Sequence, residues 1–124
     1  MNSITFAITI PPRSLSPNAR GHWRTKQNAK VLARADGYLH AKEHMGLKNL
    51  NCPWPRVRFS MIWYAKQKNW VPDSDNAIGA MKYYIDGVRQ AGLFVDDKHM
   101  EIGSIKREVD ADTPHVLLHF EEIP

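Results

Sequence analysis

A chain of 124 residues with 43% hydrophobic content and four tryptophans is long enough for one core and too short for two, which excludes a disordered chain and predicts a single domain over residues 1–124. Its one cysteine, Cys52, excludes a disulfide framework or a cysteine-based zinc site and is assigned no role. The net charge of +4 is unevenly spread: residues 1–72 carry 12 Lys or Arg against Asp36 and Glu43, giving +10, whereas residues 73–124 carry five against 11 acids, giving −6. A basic half attracts a polyanion and a compact acidic group can hold a metal ion, so the balance suits a metal-dependent enzyme acting on nucleic acid. No apolar run reaches the length of a membrane span. Arg13 and two prolines interrupt the N-terminus before a signal segment forms, so a cytoplasmic protein without membrane contact is expected.

In chain order, Ile4, Phe6, Ile8 and Ile10 alternate with polar or small residues as in a half-buried strand, which Pro11-Pro12 end. Residues 13–26 form a polar loop with Arg13, Arg20, Arg24 and Lys26 and no acid, suited to phosphate contact, with Trp23 expected to tuck into the core. A helix is predicted from about Thr25 to His44, with Val31, Leu32, Ala35, Tyr38 and Leu39 as its apolar stripe and Lys30, Arg34 and Lys42 on a solvated face. His40 and His44 are one turn apart, a spacing that can hold a metal, but no third ligand is evident and they read as surface residues.

A second strand is predicted over Arg56–Ala65, with Val57, Phe59, Met61 and Trp63 on one side. The mixed set Arg58, Ser60, Ile62 and Tyr64 on the other suggests a strand that is central or covered on both sides. Lys66 and Lys68 then lead into Pro72-Asp73-Ser74-Asp75-Asn76. Asp75 is a good helix N-cap, and a helix over about Asn76–Ala91 follows, with Ala77, Met81, Tyr84, Ile85 and Val88 as its buried stripe and Gly92 as its stop. Leu93-Phe94-Val95 and the pair Asp96-Asp97 come next. Strands over Met100–Val109 and Val116–Glu122 complete an α/β (α+β) fold in the order β-α-β-α-β-β, a mixed sheet with helices on one face.

Two acidic segments flank one helix. They can meet if the flanking loops fold back to the same side, and four clustered carboxylates require a neutraliser, for which all-oxygen ligands select Mg²⁺ or Mn²⁺. Each segment alone also fits a plain structural role, Asp-x-Asp as a helix cap and Asp-Asp as a turn.

The motif Asp73-Ser74-Asp75-Asn76, a helix, then Ala91-Gly92-Leu93-Phe94-Val95-Asp96-Asp97 resembles the RusA-type Holliday junction resolvases. The strand ending in Pro11-Pro12 and the basic His22-Trp23-Arg24 segment are similar to that family too, so the resemblance spans nearly the whole chain. It implies a homodimer that binds a four-way DNA junction and nicks two strands symmetrically with Mg²⁺, Mn²⁺ substituting. Carried over by position, it implies Asp73, Asp75 and Asp97 as catalytic metal-holding acids, with Asp96 assisting. The family's lysine, three residues after the motif asparagine, is replaced here by Gly79. Lys82 is the expected substitute, with Lys66 and Lys68 as alternatives. Arg13, Arg20, Arg24, Lys26, Lys30, Lys66 and Lys68 are expected to contact DNA. Two other readings remain open: a nucleic-acid-binding module without catalysis, and a phosphohydrolase with a nucleophilic aspartate.

Overall fold

The computed structural model describes residues 2–16 and 20–124; Pro17, Asn18 and Ala19 of the predicted basic loop lie outside the described residues. Strand β1 (Ser3–Ile8) is followed by a 3-10 turn (Arg13–Leu15) and helix α1 (Trp23–Lys48). Strand β2 (Val57–Ala65), a 3-10 turn (Lys68–Trp70) and helix α2 (Ser74–Gln90) come next. A last 3-10 turn (Asp97–His99) precedes strands β3 (Glu101–Val109) and β4 (His115–Glu122). The element order and the mixed sheet are those expected from the sequence.

The sheet order is β1-β4-β2-β3, with β4 antiparallel to β1 and β2, and β2 parallel to β3. Parallel strands need a crossover, and α2 supplies it. Residues at period two face the helices: Ile4, Phe6 and Ile8 on β1, Val57, Phe59, Met61, Trp63 and Ala65 on β2, and Val116, Leu118 and Phe120 on β4 are all buried. Ile10 lies beyond the end of β1 and is exposed. β2 is central, and the helices cover one face of the sheet, both as expected. Arg58, Ser60, Ile62 and Tyr64 are half-buried on an open face, where Arg58 binds Glu101 and Glu121 at 3.1 Å each.

Helix α1 differs from its predicted form. It starts at Trp23 and runs on to Lys48, ending where Asn49 adopts a left-handed φ of 52°. Its buried residues are Ala29, Ala33, Gly37 and Ala41, one every four positions, while Leu32 is 70% and Leu39 65% exposed, and Val31 is exposed with them. Trp23, expected in the core, is 63% exposed at the first turn. The cause is how closely α1 approaches α2. A Cβ on Gly37 would lie 2.2 Å from the Tyr84 carbonyl oxygen, and one on Gly87 2.0 Å from the Arg34 carbonyl oxygen. Only small side chains fit along that seam, so the large ones point outward. Lys30 and Arg34, expected on a solvated face, are half-buried beside α2. His40 stacks on Phe6 with ring centroids 4.8 Å apart and meets Asp36 at 3.1 Å, so it packs between α1 and β1 rather than standing on the surface.

Helix α2 buries Ala77, Met81, Tyr84, Ile85 and Val88 as expected, and Gly92 at φ 96° ends it. Trp54, fully buried, ties the segment after α2 to the start of β2: its N–H donates to the Leu93 carbonyl at 2.8 Å and its carbonyl accepts from Val95 N–H at 3.1 Å.

Gly37→Ala and Gly87→Ala should each destabilise the fold by about 2–3 kcal/mol, since overpacking against backbone outweighs the gain in helix propensity. Leu32→Gln should change stability by less than about 0.5 kcal/mol. Urea unfolding followed by circular dichroism measures all three.

Candidate metal site and nucleic-acid surface

Pro72 and the preceding 3-10 turn bring the chain in an extended conformation to Asp73, the N-cap of α2. The Asn76 N–H donates to Asp73 Oδ1 at 2.9 Å, and the Ala77 N–H to the Asp73 carbonyl at 2.9 Å. The capping residue is therefore Asp73 rather than Asp75, because Ser74 already has helical geometry. Asp75 lies in the first turn, where the helix dipole favours a negative charge. It is exposed and, among the described residues, makes no hydrogen bond or ion pair.

Asp96 caps the short turn Asp97–His99 by accepting from the Lys98 N–H at 3.0 Å. Its carboxyl is held below the usual carboxylate range by that backbone hydrogen bond first, then by a side-chain hydrogen bond with Asp97 and by the charges of Lys98 and Arg89. Asp96 and Asp97 are both exposed.

The two pairs do not meet within one chain. Helix α2 has 17 residues, so it separates its ends by about 25 Å at ~1.5 Å per residue. Phe94 bridges to Trp54 beside the start of β2, which leaves Asp96 and Asp97 at one edge of the β2–β3 pair, and Asp73 follows the opposite end of β2. Among the described residues, no three His, Cys, Asp or Glu side chains stand close enough to share a metal ion. The donor chemistry suits Mg²⁺ or Mn²⁺, since all four side chains offer hard oxygens, but one chain alone does not gather them. The expectation that the flanking loops fold back to the same side therefore does not hold in the monomer: the Trp54 anchor fixes the second loop at the far end.

The basic residues take several places. Arg13 lines an apolar groove of about 390 Å³ with Trp63, Trp70, Pro72 and Asn76, beside Asp73. Lys68 faces Arg107 across an open cleft, and Lys66 is exposed. Arg20 and Arg24 are exposed, and the Arg24 guanidinium lies 5.8 Å from the Trp23 ring centroid. Lys26, Lys30 and Lys82 line a groove between α1 and α2. Lys82 therefore stands nine residues past Asp73, about 13 Å along the helix, and not beside the carboxylates. Arg56 and Arg58, also in the basic half of the chain, are engaged by glutamates at 3.1 Å. Burial pushes the Cys52 thiol up, with the Glu122 charge adding to it, which keeps the thiol protonated and unreactive. Sequence reasoning missed Trp70 and Val95, exposed apolar side chains that flank the two acidic pairs.

No family model matches the chain. It is 33% identical over 98 residues to an uncharacterized protein of Xylella fastidiosa, a match covering 79% of this chain and 61% of that protein. The chain thus spans less than two thirds of the length of the relative it matches. No helix among the described residues is long and apolar enough to cross a membrane.

Asp73→Ala should cost about 1 kcal/mol through loss of the helix cap, whereas Asp73→Asn and Asp75→Asn should be close to neutral because Asn also caps and Asp75 caps nothing. Thermal melts of the three variants test this assignment.

Proposed function

We propose that the protein is a metal-dependent endodeoxyribonuclease acting on branched DNA, the four-way junction above all, with each active site assembled from two copies of the chain. The observation that carries the reading is the placement of two exposed aspartate pairs at opposite ends of one helix, in a chain whose surface around the first pair is cationic. A two-fold axis beside α2, on its β3 side and away from the groove with α1, sets two α2 helices antiparallel. It brings Asp73 and Asp75 of each copy toward Asp96 and Asp97 of the other. β3 is an edge of the sheet, and antiparallel pairing of two β3 edges obeys the same operator. Trp70 and Val95 would then meet across the contact and exclude water beside the acids.

In that assembly the aspartates hold Mg²⁺, or Mn²⁺ in its place. The ion supplies activation of water and relief of charge at the phosphate. Asp75, whose side chain makes no hydrogen bond or ion pair among the described residues, has its carboxylate oxygens available for that task. Arg13, Arg20, Arg24, Lys26, Lys30, Lys66 and Lys68 neutralise backbone phosphates, which makes binding fall steeply with salt. Such an enzyme serves recombination and repair in the cytoplasm as a homodimer, and its two-fold symmetry matches that of the junction.

A second reading, a junction-binding module without catalysis, is favoured by the capping roles of Asp73 and Asp96 and by Gly79 where the resembled family carries lysine. A phosphohydrolase with a nucleophilic aspartate needs a strand running into the first Asp, and here a 3-10 turn and Pro72 intervene.

Asp75→Asn and Asp97→Asn should each bind a labelled junction and fail to nick it in Mg²⁺. Mixing the two variants should restore roughly a quarter of wild-type sites, because half of randomly formed dimers are mixed and each mixed dimer has one intact site. No recovery, with dimer exchange verified, would mean that each site lies within one chain. Tight junction binding by the wild type without cleavage in any metal would support the binding module.

A further inference from the structure

The groove between α1 and α2 has a volume of about 380 Å³ and is walled by Ser14, Ser16, Lys26, Lys30, Gly79 and Lys82. Tyr83, also on its wall, gathers cations: Lys30 Nζ and the Arg34 guanidinium each lie 5.1 Å, and Lys82 Nζ 5.9 Å, from its ring centroid. Lys30, Arg34 and Lys82 form no ion pair within 4.0 Å; the pairs found among the described residues are His40–Asp36, Arg56–Glu101, Arg58–Glu101 and Arg58–Glu121. An aromatic face offsets part of the repulsion among three cations, and an anion between them offsets the rest. Gly79 leaves that part of the wall without a side chain, and the Ser14 hydroxyl can donate a hydrogen bond to an oxyanion, while the Ser16 hydroxyl donates to Asn76 Oδ1 at 3.4 Å.

We infer that this groove holds a backbone phosphodiester of the DNA away from the cleaved bond, a proposal that rests on the nuclease reading for its ligand and for the cut from which its position is counted. Gly79 and Lys82 are six and nine residues past Asp73, about 9 and 13 Å along the helix. The axial rise is ~3.4 Å per nucleotide, but helical rotation sets neighbouring phosphates of one strand roughly 6–7 Å apart, so the held phosphate is about two nucleotides from the cut. Lys82 is then a positioning residue that fixes the register of the strand, acting together with Lys30 across the seam between the helices.

The test is a binding measurement in EDTA, where nothing is cut. Junctions carrying a single neutral methylphosphonate at each backbone position in turn are titrated with the wild type and with Lys30→Ala/Lys82→Ala. Folding of the variant is checked by its melting curve, and Lys30→Gln/Lys82→Gln serves as a second variant of similar side-chain length. The wild type should lose affinity at a phosphate about two nucleotides from the nick mapped in Mg²⁺. The double variants should bind the unmodified junction less tightly, show a salt slope lower by roughly 1 to 2, and be indifferent to the modification at that position. Equal sensitivity of wild type and variants there would overturn the proposal while leaving the nuclease reading intact. Inorganic phosphate bound by the wild type and lost in the variants, with no sensitive backbone position, would make the groove a site for free phosphate and overturn the backbone assignment. Failure to bind any DNA would overturn both readings together.

Discussion

The helical side of this molecule depends on how closely α1 can approach α2. Gly37 rests against the backbone of Tyr84 and Gly87 against the backbone of Arg34 and Tyr38, so each helix provides the gap that the other fills. The consequences spread outward from that crossing. Large apolar residues of α1 cannot enter the seam, which leaves Val31, Leu32 and Leu39 facing away from the core. Lys30 and Arg34 are drawn over the Tyr83 ring, which populates the inter-helix groove with cations. The next residue, Tyr84, is buried at the same contact, and desolvation, with the Asp36 charge adding to it, pushes its phenol up to about 12, so it remains neutral throughout the physiological range.

The second constraint is the crossover. Because β2 and β3 are parallel, α2 must return the full length of the strands, and whatever precedes and follows it lies at opposite ends of those strands. Each acidic pair has its own local support. At the first, the α2 N-terminus and its free N–H groups favour negative charge. At the second, the Lys98 backbone N–H and the nearby charges of Lys98 and Arg89 stabilise Asp96. Neither pair needs the other for the monomer to fold. That independence is why a requirement for both, if function imposes one, falls on the contact between copies.

Much of this was legible in the sequence where one physical signal dominated. The alternation in β1, β2 and β4 and the stripe of α2 are set by large apolar side chains that have one face on which to bury, and the structure follows them residue by residue. In α1 the signal inverted. Its buried stripe is written in Ala29, Ala33, Gly37 and Ala41, which hydropathy ranks below Val31, Leu32 and Leu39. A repeat of small residues at every fourth position marks close helix packing, and that repeat was the available clue. The four aspartates were legible as two motifs but not as a site. The helix length read from the stripe already implied about 25 Å between them. What brings the second loop to the far edge is the Trp54 anchor, a contact between residues 40 positions apart that no local pattern announces.

The distribution of positive charge sharpens the proposed division of labour. Arg13 beside Pro72, Lys68 just ahead of Asp73, and Lys26 and Lys30 in the groove past Gly79 all flank the N-terminal half of α2. At the other end Arg89 and Lys98 act on Asp96 itself, and the arginines of β2 are held by Glu101 and Glu121. In the proposed assembly a phosphate backbone drawn by these cations would approach each copy at the Asp73 end. Asp96, held below the usual carboxylate range by its own neighbours, would be presented with Asp97 to that backbone from the second copy. In the proposed reading Gly79 leaves the first turns of α2 without a lysine, and the positive charge stands instead at the seam with α1, where it would hold the strand rather than the reacting phosphate.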